Sequence, residues 1–507
     1  MKLLFKYIAL LILLLSAPIF AAKKNEFKFY LMGASNQIQV TRAKGLLRKY
    51  IFHNTHRGLF SYHGEKGLVP EGANNCQWIN SKKIKCQLNK DKMFSNGKKV
   101  KAHHYVSRFQ EVIDPTSKSF ASQFLLNLKN AQLILKGEKS PSYLGVRATD
   151  DHTIIFNFKT NDPEFLFKIA RPQFSPSYSD AINKINNAEI WVTNGPYKFS
   201  QWNPEKSISL VENPFYSKKL KSKRPPVIAL MLEDDQTALT LYDTNHLSFL
   251  NRLSTTNIPY YKKQKDFLQV PMAKFDYIGF GPSLLKYPNL RKAMSLSLNY
   301  PELQKIYHAL GRPGCASLPK SYLNQVPCYS FDLMKALEIL KQVPKAARVK
   351  VWKLVYSKMG GDDHNKGMQW VANQWKKHLN LKIELTPIES GMFISRIKNK
   401  TPDLFRKGVP LNRPTCLAAL ENFSKNNPEN YIQLKSQAYD NMLRRLSLSS
   451  IQHKRDLCSQ LVGYLLNAYK LIPMGRIHYS MRINAHFKGW HINELNQLDL
   501  TNLTYKK

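Results

Sequence analysis

Residues 349–398 read VKVWKLVYSKMGGDDHNKGMQWVANQWKKHLNLKIELTPIESGMFISRIK. Val349–Tyr356 reads as a strand, Lys366–Leu379 as a helix, Leu381–Thr386 as a second strand and Gly391–Lys398 as a second helix. Strands alternating with helices over one stretch imply an α/β layer, because each helix must bury its apolar stripe on the sheet beside it.

Upstream, the same grammar continues. Asp332–Val343 is a helix with an aspartate cap, Leu290–Leu298 a helix with Arg291 and Lys292 outward, and Phe275–Phe280 a strand. Val227–Leu232 is a strand, followed by a helix whose first turn holds Asp234, Asp235 and Gln236, acids that suit the positive end of the helix dipole. Asn194–Val211 gives two strands joined at Asn203-Pro204. The N-terminal third is richer in short strands and turns: Phe27–Met32, Lys83–Leu88 with the Phe94-Ser95-Asn96-Gly97 turn, and Asp150–Phe158. Its helices are Thr41–His53, Ala102–Val112, Ser119–Leu135 and Pro163–Ala170. The chain is therefore mixed α/β in at least two parts.

The first residues bear on compartment. Lys2 and Lys6 lie in and beside an apolar run from Leu3 to Leu15, and Pro18, Ala21 and Ala22 follow. This is a secretory leader in form, with cleavage expected after Ala21. The run is too short to span a bilayer comfortably, and no later stretch is longer. With 507 residues, 43% hydrophobic, the chain has material for a large core and about three domains. Charge is unusual: 76 Lys plus Arg against 35 Asp plus Glu give +41. Losing Lys2 and Lys6 with the leader leaves 74 against 35, or +39. Such a field favours anionic surfaces or ligands, but the bases are scattered and form no nucleic-acid-binding tail.

Six cysteines in an exported chain suggest disulfides. Cys76 and Cys86 flank a hairpin around Asn80-Ser81 and could face each other, while Cys315 and Cys328 bracket a proline-containing loop. Cys416 and Cys458, each in a helix-like stretch, are left either bonded or free and buried. None has zinc-site spacing, and no metal or cofactor is expected.

Several blocks resemble the extracellular solute-binding family that includes oligopeptide- and dipeptide-binding proteins of ABC transporters (family 5). Met93-Phe94-Ser95-Asn96-Gly97-Lys98-Lys99-Val100, with Tyr105, Arg108 and Phe109, is similar to its W-S-D-G-x-P-V signature in worn form. Asp114-Pro115 with Ala121, then Gly145-Val146-Arg147-Ala148-Thr149-Asp150-Asp151-His152-Thr153, resembles its G-V-x-A-x-D-D-x-T block. Asn194-Gly195-Pro196-Tyr197 through Asn213-Pro214-Phe215-Tyr216, and Leu290–Tyr300, follow in the family's order. The resemblance runs from about residue 50 to 480.

It implies a type II two-lobed periplasmic binding protein of the peptide-binding cluster, with an extra N-terminal subdomain. Lobe I would comprise 22–49, 185–270 and 479–507, the subdomain 50–184 and lobe II 271–478. The partners implied are a peptide or peptide-like ligand and an inner-membrane permease and ATPase complex. The chain is expected to be a periplasmic monomer, with no nucleic-acid partner and no catalytic residues.

The resemblance also locates a site. Relatives that take free peptides fix the ligand's ammonium with an aspartate in a G-W-x-x-D-Y-x-x-P loop. Here the loop reads Gly408-Val409-Pro410-Leu411-Asn412-Arg413-Pro414-Thr415, about two residues shorter and without an acid. An ammonium buried beside Arg413 with no carboxylate would cost several kcal/mol. Val409 replaces the tryptophan, and Ser390 stands at a second aromatic position. His364 and Arg406 resemble family residues that meet a ligand carboxylate, which suits a guanidinium fork. The alternative is that His364 caps a helix and Arg406 pairs with an acid such as Asp403. Phe120 is counted with the ligand contacts. An anionic or N-blocked ligand follows.

Two other classes compete. A receptor or polyanion-binding module on the same fold would suit the basic excess. A secreted hydrolase lacks its parts: there is no G-x-S-x-G or H-E-x-x-H, and Ser95-Asn96-Gly97-Lys98 matches S-x-x-K only on a turn. Adjacent residues on a helix diverge, so His103-His104 is a poor metal pair.

Overall fold

The computed structural model describes residues 25–506, apart from 33–37, 179–190, 218–219, 307–309, 312, 317, 319–321, 326, 359–360 and 450. The expected leader, residues 1–21, lies outside the described residues. No described helix is long and apolar enough to cross a membrane.

The stretch that opened the reading builds one wall of the molecule. Val351–Ser357 runs parallel to Lys382–Ile388 on one side and to Leu404–Pro410 on the other. Lys274–Phe280 then pairs antiparallel with Leu404–Pro410 and with Leu471–Pro473, giving five strands. Gly361–Leu379 covers this sheet, burying Met368, Val371 and Trp375 in a core shared with Trp352 and Leu354. Parallel strands buried on both faces need such crossover helices.

A second wall has four strands in the order Phe27–Met32, Val227–Leu232, Ser207–Glu212, Tyr197–Asn203. The first pair is parallel over six residues, from Phe27↔Val227 to Met32↔Leu232. Its core joins Phe27, Phe29 and Tyr50 to C-terminal Phe487, Leu498 and Leu503. A third unit is an antiparallel sheet of Ala73–Asn80, Lys83–Leu88, Thr153–Asn157 and Val146–Asp150. Helix Ala102–Ile113 packs on it through Tyr105, Phe109 and Val112.

Short crossings join the first wall to a three-stranded sheet, Phe249–Leu250, Arg476–Ile483 and Phe267–Pro271, whose core is shared with the second wall. Phe267–Pro271 passes into Lys274–Phe280, and Leu471–Pro473 returns into Arg476–Ile483. The crossings are laced together by Met272 N–H to Ile477 O and Met474 N–H to Asp276 O, each 2.9 Å. Gly475 holds φ at +99°, which a side chain resists. Few residues therefore carry any rotation of one wall against the other.

Several expectations are corrected. The helix expected over Thr41–His53 begins later, and its core is the wide π turn Leu47–Phe52. Ser119–Leu135 is two pieces, a 3₁₀ segment Phe120–Leu125 and helix Ala131–Leu135, because Asn130 turns left-handed between them at φ 66°. The strand expected over Asp150–Phe158 is found as Thr153–Asn157, but it begins later, because Asp150 ends the preceding strand Val146–Asp150 and the chain turns at Asp151-His152. Arg291 points inward, donating to the carbonyls of Ala468 (3.0 Å) and Tyr469 (2.5 Å) at the end of a neighbouring helix. Disulfides join Cys76 to Cys86, directly opposed across their hairpin, and Cys315 to Cys328. Cys416 and Cys458, left open above, are also bonded, with Cα atoms 6.3 Å apart.

Candidate ligand-binding cleft

The expected site residues cluster on Leu404–Pro410 and the loop that follows. In this strand Arg406 and Gly408 share a face, and Gly408 lies opposite Asp276 of the neighbouring strand. That register brings the Arg406 guanidinium diagonally onto Asp276, with Nη2 to Oδ2 at 3.0 Å and Nε to Oδ1 at 3.3 Å. Both side chains are almost wholly buried. Lys274 adds a second cation, 3.2 Å from Asp276 Oδ2. Its chain crosses above Gly408, where a Cβ would collide with it. Burial raises the Asp276 pKa, but Arg406 and Lys274 outweigh it and hold the carboxyl well below its usual range. Arg406 thus has an acid, as the alternative reading required, but the acid is Asp276. Asp403 turns instead to Ser283 and Lys350.

His364 sits in the first turn of Gly361–Leu379, half-buried, with Nδ1 3.2 Å from the Ser357 carbonyl. A carbonyl only accepts, so Nδ1 carries the proton and Nε2 is an acceptor. Burial, then Arg406 and Lys274, lower its pKa to about 2. The ring is neutral at physiological pH and presents an acceptor.

Arg413 is 1% exposed. Its Nε donates to Glu164 of the small antiparallel unit, and Nη1 and Nη2 meet the two Glu421 oxygens, each at 2.9 Å. Thr415 Oγ1 adds a 3.0 Å bond to Glu164. Asn412 Oδ1 accepts from Arg413 at 3.0 Å, and the Asn412 carbonyl accepts from Arg171. The loop Gly408–Thr415 is thereby strapped to the small unit by side chains that the sequence places far away. Val409 packs against the core. Phe120 lies on the small unit with the Lys44 ammonium 5.4 Å from its ring centroid. Ser390 opens helix Ser390–Asn399, and its side chain lies outside the described residues.

Sequence reasoning missed Asp276, Lys274, Glu164 and Arg171. A lone acid inside the aromatic strand Phe275–Phe280 was the available signal for Asp276, since a buried carboxylate needs a counter-charge. Arg171 and Glu164 carried none. A separate cavity of about 270 Å³ lies between Ile38–Arg42 and helix Ala102–Ile113, with Arg108, Glu111 and Trp191 in its wall, and includes none of the expected site residues. Among the described residues no group of three or more His, Cys, Asp or Glu could hold a metal ion.

Comparison with known proteins agrees with this architecture. The chain is 24% identical over 406 residues to the oligopeptide-binding protein OppA of Bacillus subtilis, covering 75% of this chain and 74% of that one. It is 22% identical over 479 residues to the periplasmic oligopeptide-binding protein OppA of Haemophilus influenzae, covering 89% and 87%. The solved structure of the Escherichia coli murein tripeptide binding protein MppA superposes with a TM-score of 0.80 at 19% identity, over 96% of this chain and 99% of that one. At that identity the likeness speaks for the two-lobed fold alone. The profile of bacterial extracellular solute-binding proteins, family 5 Middle, matches residues 68–431, and the chain belongs to that family.

Proposed function

We propose that this chain captures a peptide or peptide-like ligand, anionic or blocked at its N-terminus, between two lobes. As an exported periplasmic monomer, it hands the ligand to an ABC transporter permease and ATPase for import. In this reading residues 22–49, 185–270 and 479–507 form lobe I, 50–184 the subdomain and 271–478 lobe II. Binding needs no reacting residue, only contacts that favour the closed arrangement over the open one.

The observation that carries the ligand class is the Gly408–Thr415 loop. It has one charged side chain, Arg413, held between Glu164 and Glu421. Those carboxylates are engaged with a guanidinium, so a ligand ammonium entering there would lose its hydration and gain no unspent acid. The peptide-binding relatives named above support a peptide-like ligand. His364, expected to meet a ligand carboxylate, is neutral and gives its Nδ1–H to the Ser357 carbonyl. It has no donor left for a carboxylate, and in this reading its Nε2 accepts from a ligand N–H instead.

Isothermal titration calorimetry with Ala-Glu-Ala and its Nα-acetyl form tests the reading. The acetylated peptide is expected to bind at least as tightly as the free one. A free peptide binding ten times tighter, about 1.4 kcal/mol, would overturn it.

A further inference from the structure

The geometry points to a second cationic subsite at Arg48, Lys49 and Arg171, which receives a carboxylate of the ligand. This deepens the anionic-ligand reading above and rests on it.

Three observations converge. Arg48 and Lys49 lie in the wide turn Leu47–Phe52, where His53 N–H reaches back five residues to the Arg48 carbonyl. Such π turns are rare and concentrate at functional sites. Both side chains are half-buried. Arg171 is 4% exposed, stacks its guanidinium 3.9 Å from the Phe124 ring centroid and donates Nη2 to the carbonyl of Asn412. Its Nε is buried with no hydrogen-bond partner.

The charges are also uncompensated. Among the described residues no carboxylate pairs with Arg48, Lys49 or Arg171. Elsewhere most deep guanidiniums meet acids, Arg57 with Asp499, Arg224 with Glu212, Arg406 with Asp276 and Arg413 with Glu164; Arg291 instead spends its charge on the two carbonyls that end a helix. Burial, then Arg48 and Arg171, push the Lys49 ammonium down to about 7. Burial, Arg48 and Arg413 likewise push Arg171 down. Gln173 Nε2 donates to the Ala43 carbonyl at 2.8 Å, which ties the Arg171 segment to the stretch leading into Arg48 and Lys49. Cations gathered there with an open donor form a site that an anion relieves, and a carboxylate fits the guanidinium fork. Because Arg171 holds Asn412, the subsite adjoins the loop that would otherwise grip an ammonium.

The test is a charge cycle on the full mature chain. Nα-acetyl-Ala-Glu-Ala and Nα-acetyl-Ala-Gln-Ala are titrated into wild type, Lys49→Gln, Arg171→Gln and the surface control Lys341→Gln. Inorganic phosphate is run in parallel. Wild type and the control should prefer the Glu peptide at least tenfold, and Lys49→Gln or Arg171→Gln should reduce that preference to under threefold. Arg171→Lys should restore part of it. Lys49 is only half-buried, so its variant keeps the test valid should Arg171→Gln fold poorly. An unchanged preference in Lys49→Gln would place the anion elsewhere and overturn the subsite while sparing the anionic reading. No acidic preference in wild type would remove both. Phosphate bound more tightly than the acidic peptide would overturn the carboxylate assignment.

Discussion

Asp276 draws one cation, Lys274, from two residues away and the other, the Arg406 guanidinium, from a strand far along the chain. Its partner Arg406 lies 130 residues away, and Arg413 finds Glu164 at 249. Sequence could therefore mark Arg406 and Arg413 by position in a motif, but not say whether their charges were spent. Register decides that, and register is a property of the assembled sheet. Replacing one member of a buried pair leaves the other uncompensated, so Asp276→Asn should cost about 3–5 kcal/mol in denaturant unfolding. Adding Arg406→Met to it should recover most of that loss. If the single variant is neutral, the pair is not structural. The loop offers the converse experiment. Asn412→Asp puts back a carboxylate beside Arg171 and Arg413, and should leave acetylated peptides no tighter while weakening acidic ones severalfold. Calorimetry with the peptides above reads this directly, and an unchanged acidic affinity would separate Asn412 from the site.

At the scale of elements, legibility followed periodicity. The Val349–Lys398 alternation, the Asn194–Val211 hairpin and the Asp332 cap emerged close to their expected places, because long periodic runs and caps are local signals. Asp332 accepts from Lys335 N–H at 3.0 Å as a capping aspartate should. Ser119–Leu135 failed because a single left-handed Asn130 cuts it, and Asn carries that conformation without announcing it. The π turn at Leu47–Phe52 had no sequence signal either. The third disulfide was equally hidden, since two helix-borne cysteines meet only after those helices pack. It closes the longest covalent loop, 42 residues between Cys416 and Cys458. In the chain-entropy account Cys416→Ser with Cys458→Ser should lose about 4 kcal/mol. Thermal unfolding against the Cys76→Ser/Cys86→Ser pair checks this. A larger loss from the short hairpin clip would contradict it.

For the whole molecule, two features follow from summed charge and burial. Burial, reinforced by Arg57, Arg108 and Arg406 respectively, lowers the pKa of His53 to about 3, of His56 to about 3 and of His364 to about 2. Below an unfolded value of about 6.5 the unfolded chain takes up protons that the native state refuses. Their stabilisation is therefore complete above about pH 6.5 and is lost as pH falls, by up to about 1.4 kcal/mol per pH unit per histidine. The melting temperature should drop between pH 7 and 5, and a flat profile would show that these rings titrate normally. The basic excess is a matter of partners more than of fold. A polyanion-binding role predicts steep loss of binding with salt, whereas a ligand enclosed between two lobes is screened far less. The central claim is that the two lobes take up a molecule with negative charge or without a bare amino terminus. Native mass spectrometry of the freshly purified mature protein, followed by release and fragmentation of whatever it carries, reads this directly. The account predicts an acidic or N-blocked peptide-like species. An ordinary neutral peptide with a free N-terminal ammonium would contradict it.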